Sequence, residues 1–110
     1  MGASKSDFFS LTQNSTANWF KALSHPARIA IVEYLMRVNS CVCGDIVDEL
    51  PLAQPTVSQH LKELKSAGII KGTIEGNSVC YCLNMETLAQ IQLFINTLTE
   101  SVAKNKLNCC

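Results

Sequence analysis

The sequence predicts a mainly α fold with one small β-hairpin, and three observations point to it. Apolar residues recur at helical spacing in four stretches before Gly68 and in one long stretch after Asn84. Two short strand-like segments, Ile69 to Ile74 and the alternating Val79 to Leu83, flank the turn-rich Glu75-Gly76-Asn77-Ser78. The chain has 110 residues, the size of one domain. The expected order is α-α-α-α-β-β-α over residues 1–110, with 105–110 as a tail.

The first helix is expected from Asp7 to Leu23. Phe8, Leu11, Trp19, Phe20 and Leu23 form its apolar set, and the polar Gln13-Asn14-Ser15-Thr16 interrupts its middle. Ser24-His25-Pro26 resets the chain: Ser24 or His25 can cap, and Pro26 suits a first helical turn. Pro26 to Val38 is the second helix, with Ile29, Ile31, Val32, Leu35 and Met36 apolar. Asn39 to Cys43 breaks it. Gly44 to Leu50 reads as a short helix, Pro51-Leu52-Ala53 as a tight turn, and Gln54 to Ala67 as the next helix.

In that helix Val57, Leu61 and Leu64 fall at i, i+4 and i+7, one apolar stripe. Ser58, Gln59, Lys62 and Lys65 lie off the stripe, and their groups suit base edges and phosphates. Ala53 stands where a capping Ser or Thr is expected, so that start is weakly capped. Gly68 suits a left-handed helix stop. Two short helices across a tight turn, followed directly by a hairpin, make the order of a winged helix-turn-helix. The last helix runs from Met85 to about Ala103. Its Leu88, Ile91, Ile95, Leu98 and Val102 are spaced 3, 4, 3 and 4, a coiled-coil-like seam that calls for a partner helix.

Bulk properties narrow the classes. Hydrophobic residues make up 47% of the chain, an excess that suggests a buried subunit interface. No apolar run is long enough for a membrane span, and the first residues show no signal-peptide pattern, so the expected compartment is the cytoplasm. Six cysteines without an export signal suit reduced thiols with a metal-binding or redox role, or small buried residues. Net charge is zero, unlike a typical nucleic-acid binder. The charge is segregated, however. Residues 54–72 carry Lys62, Lys65 and Lys71 against Glu63 alone, and residues 38–53 carry Asp45, Asp48 and Glu49 with no base.

Ala22-Leu23-Ser24-His25-Pro26-Ala27-Arg28, Cys41-Val42-Cys43-Gly44-Asp45 and Gln54 to Gly68, in this order, resemble the ArsR family of bacterial metal- and metalloid-responsive repressors. The resemblance covers roughly Trp19 to Leu98. It implies a homodimer built on the first and last helices, binding of double-stranded DNA, and repression relieved by an inducer. It also implies a DNA-binding helix with Thr56, Ser58, Gln59 and His60 nearest the DNA, and Gln54 at its start. Lys62, Lys65 and Lys71 read as phosphate contacts or as solubilising lysines. Glu75 departs from the arginine that many members carry near the wing tip, so the tip is left out of the site.

Cys41 and Cys43 coincide with the Cys-Val-Cys pair by which arsenic-sensing members bind metalloid. Two thiolates two residues apart can chelate As(III) or another soft metal ion. The third cysteine of those members falls at Ile46 here, so a third thiol is sought at Cys109 or Cys110. Unliganded thiols remain the alternative reading. Cys80 and Cys82 read as packing beneath the wing, with a dithiol switch as the alternative. His25 reads as a helix-start residue. A zinc site on the last helix is rejected, because that helix has no histidine and Glu86 and Glu100 lie too far apart. No catalytic constellation stands out, so an enzyme is not expected. The runner-up readings are a redox-responsive or ligand-independent repressor of the same fold, and a protein-interaction module that lost DNA binding.

Overall fold

The computed structural model describes residues 5–38, 42–43, 46, 50–76 and 78–105. A 3-10 turn, Lys5–Phe8, precedes α1 (Leu11–Leu23) and α2 (Pro26–Val38). A two-residue strand β1 (Val42–Cys43) comes next, then α3 (Gln54–Ser66), β2 (Ile70–Glu75), β3 (Ser78–Leu83) and α4 (Met85–Asn105).

Beyond shifts of one or two residues at element ends, two differences from the sequence expectation have a visible cause. The first helix starts at Leu11, not Asp7, because Ser10 and Gln13 close a capping box. The Gln13 backbone N–H donates to Ser10 Oγ at 3.0 Å, and the Ser10 N–H donates to Gln13 Oε1 at 2.9 Å. The polar Gln13 to Thr16 stretch is therefore helical. The second difference is β1, which pairs antiparallel with β3, Val42 opposite Tyr81 and Cys43 opposite Cys80. The sheet order is β1-β3-β2, so the wing has a third strand. The helix expected from Gly44 to Leu50 is described only at Ile46, which is helical, and at Leu50, in a bend; the rest lies outside the described residues, as does 106–110.

The stop after α3 is a Schellman turn. Gly68 takes φ 81°, its N–H donates to the Lys65 carbonyl at 3.0 Å, and the Ile69 N–H reaches the Leu64 carbonyl at 3.0 Å. Leu64 and Ile69, the two side chains such a turn brings together, are both fully buried. This turn aims the chain from the helix into β2.

The core lies between α1, α2, α3 and the sheet. Ile31 and Leu35 of α2 meet Ile46, Val57, Leu61 and Leu64 there. Each such side chain contributes about 1.5–3 kcal/mol by leaving water. Trp19 and Leu23 of α1, Tyr81 and Leu83 of β3 and Ile91 of α4 pack around the edge. Among the described residues no helix is long and apolar enough to cross a membrane.

Candidate nucleic-acid interface

α3 has two faces. Val57, His60, Leu61 and Leu64 are buried. Gln54, Thr56, Ser58, Gln59, Lys62 and Lys65 are all exposed, so six of the seven residues expected to meet DNA are accessible. Gln59 is partly committed: its Nε2 donates to Glu63 Oε1, 3.0 Å away on the next turn. Ala53 caps α3 without a side-chain hydrogen bond, as its methyl dictates. Lys65 reaches across to the wing, where its Nζ lies 3.3 Å from the point a Cβ on Gly72 would occupy. The helix face therefore adjoins β2 at Gly72; Lys71, the next residue back on the strand, is exposed but alternates to the other face of the sheet.

His60 is the correction. It is 8% exposed and turned inward, away from any groove, because it sits on the buried side of α3 beside Leu61. Arg28 Nε–H donates to His60 Nδ1 at 3.1 Å, and the ring lies against His25 with centroids 4.4 Å apart. Arg28 Nη1 also donates to the Ala22 carbonyl at 3.3 Å, near the end of α1. Desolvation by burial, then the neighbouring His25 and Arg28, hold the His60 pKa below the ordinary histidine range. His25 is a helix-start residue, as its place before Pro26 predicts: the Ala27 N–H donates to its Nδ1 at 3.0 Å. Arg28 itself was not legible as part of this arrangement, since its partner lies 32 residues away.

Comparison with known proteins bears directly on this architecture. Residues 25–71 match the family described as bacterial regulatory protein, arsR family. The arsenical resistance operon repressor of Staphylococcus xylosus is 32% identical over 81 residues, covering 74% of this chain and 77% of that protein. The chain belongs to the ArsR family. The transcriptional repressor SmtB of Mycobacterium tuberculosis is 48% identical over 73 residues, 66% of this chain; the chain spans about half, 53%, of that repressor's length. A solution structure of the homodimeric winged helix-turn-helix DNA-binding domain of Mycobacterium bovis Mb0332 shares the fold. Its TM-score is 0.66 at 22% identity, over 91% of this chain and 90% of that one.

In this ArsR-family chain the cysteines divide. Cys41 lies outside the described residues, and of Cys43 only the strand backbone is described. Among the described residues no group of three metal-binding side chains comes together. Cys80 is fully buried, as the packing reading expects, and is also disulfide-bonded, which no sequence spacing announced. Its backbone neighbours across the sheet are Cys43 on β1 and Thr73 on β2. Cys82, two residues on, is a free, half-buried thiol.

Proposed function

We propose that this protein is a homodimeric, sequence-specific DNA-binding repressor, released by a thiol-binding inducer such as arsenite. One observation carries the DNA-binding part: α3 is held by its apolar face while Gln54, Thr56, Ser58, Gln59, Lys62 and Lys65 are exposed to solvent. Gln reads adenine bidentately, Ser and Thr serve base or phosphate, and the lysines neutralise phosphates.

Dimerisation is supported by unpartnered apolar surface on the first and last helices. On α4, Leu88 and Ile91 are half-buried, while Ile95, Leu98 and Val102 are 40%, 50% and 46% exposed. Phe20 of α1 contacts Phe94 of α4 edge-on, centroids 5.8 Å apart, and Leu11 is 87% exposed. Apolar surface of this extent at two helix faces suits a second copy of the same pair. Doubling the subunits doubles the phosphate contacts and offsets a net charge of zero.

The inducer reading rests on Cys41 and Cys43 in sequence, at the start of the helix-turn-helix, and on a relative named for arsenical resistance. The pair supplies two soft thiolates, with Cys109 and Cys110 as candidates for a third. The reading assigns no catalysed reaction, and it places the protein in the cytoplasm.

The test is fluorescence anisotropy of the reduced protein on the DNA upstream of its own gene, titrated with arsenite. Specific binding released by arsenite is expected. Binding that ignores arsenite keeps the repressor and discards the metalloid. Absence of specific binding to that DNA leaves the operator elsewhere or favours the protein-interaction module.

A further inference from the structure

We propose that Arg28 and His60 form a proton-sensitive latch that seats the DNA-facing helix, so that specific DNA affinity falls when His60 takes up a proton. The inference rests on the DNA-binding reading above and adds a control to it.

The geometry carries the argument. His60 is the polar residue on the buried face of α3, one residue before Leu61 and one turn after Thr56. Its Nδ1 accepts from Arg28 Nε, a charge-assisted bond at 3.1 Å that joins α3 to α2. The same guanidinium holds the Ala22 carbonyl of α1. One arginine thus ties three helices together directly beneath the exposed face. The bond requires an unprotonated Nδ1, because the arginine can only donate. A proton on Nδ1 replaces the acceptor with a donor and sets two donors and two cations against each other.

The surroundings offer that added charge little relief. The turn before α2 contributes His25, 4.4 Å away ring to ring, and α2 contributes Arg28. α1 contributes Lys21, which lines the cleft of about 330 Å³ beside Arg28. α3 itself contributes Glu63 to that cleft, and its carboxylate already accepts from Gln59. β2, also packed on α3, carries Lys71, which is exposed. Burial and the two basic neighbours keep His60 neutral at neutral pH, which leaves the latch closed there. Acidification opens it. Simple electrostatics predicts the reverse, since added protons strengthen attraction to phosphates. A loss of specific affinity on acidification therefore reports the latch and not net charge.

The experiment measures anisotropy on the upstream DNA at about pH 7.5 and about pH 5, at fixed ionic strength, for the reduced full chain. The wild type is expected to lose about tenfold in specific affinity, the factor that one unit of differential proton affinity represents. His60→Asn keeps an acceptor near the Nδ1 position and cannot titrate, so its ratio of affinities should be flat. His25→Asn keeps a capping side chain and should retain the loss. A wild-type loss that persists in His60→Asn, or disappears in His25→Asn, overturns the proposal. NMR titration of the His60 ring needs no DNA: a pKa at or above the ordinary histidine value of about 6.5 also overturns it. If no DNA is bound specifically at either pH while His60 titrates low, the DNA-binding reading fails and the latch loses its proposed output.

Discussion

At the scale of single residues, three positions decide more than their size suggests. Gly68 occupies left-handed backbone at φ 81°, and an added Cβ would lie 3.3 Å from Thr87 Oγ1. Gly68→Ala should cost about 1–2 kcal/mol through both effects, read from the urea midpoint. His60 resists protonation when folded, so the unfolded chain binds more protons once the pH falls below about 6.5. Stability is then full above that pH and declines between it and the lower folded value. The wild-type Tm should drop more than that of His60→Asn between about pH 7.5 and about pH 5. Lys62 is exposed and has no described partner in the fold. Lys62→Ala should leave Tm unchanged, weaken binding about equally across DNA sequences, and lower the salt slope by about 1 per subunit.

At the scale of elements, capping explains both a miss and an opportunity. Ser10 and Gln13 have the spacing of a capping box, and the polar run that follows them obscured it in sequence. α3 begins at Ala53 with no side-chain cap. Ala53→Ser should raise stability by about 0.5–2 kcal/mol in the free protein, measured by thermal melting. The central wing strand carries a different constraint, since Cys80 is disulfide-bonded. Reduction should lower the Tm of the air-oxidised protein, because a crosslink restricts the unfolded chain. Peptide mapping under non-reducing conditions should find Cys80 in the crosslink and Cys82 alkylated.

For the whole molecule, the question is what covers the apolar faces of α1 and α4. Leu98 lies half exposed in the seam, far along α4 from the core. Leu98→Glu should shift the protein from dimer to monomer by light scattering, with little loss of helicity by circular dichroism. DNA affinity should fall with it, because each subunit alone contributes few phosphate contacts. A Leu98→Glu protein that remains a dimer would remove α4 from the interface.

Most elements, and the exposed positions Gln54, Thr56, Ser58, Gln59, Lys62 and Lys65 of α3, are readable from the chain alone. Helical spacing identified α2, α3 and α4, and the Gly68 stop and the turn at Gly76 identified the hairpin, because these are local, periodic properties of the backbone. Three things were decided only by tertiary structure. β1 is two residues long and exists through its pairing with β3, too short to carry a pattern of its own. The family resemblance implies that His60 faces DNA beside Gln59, yet it lies on the buried side, at the edge of the stripe that Val57, Leu61 and Leu64 define. Arg28 meets it across 32 residues, and neither residue alone signals the bond. Local periodicity sets which helices form; which polar side chain at the edge of an apolar stripe turns inward depends on whether another element supplies a partner for it.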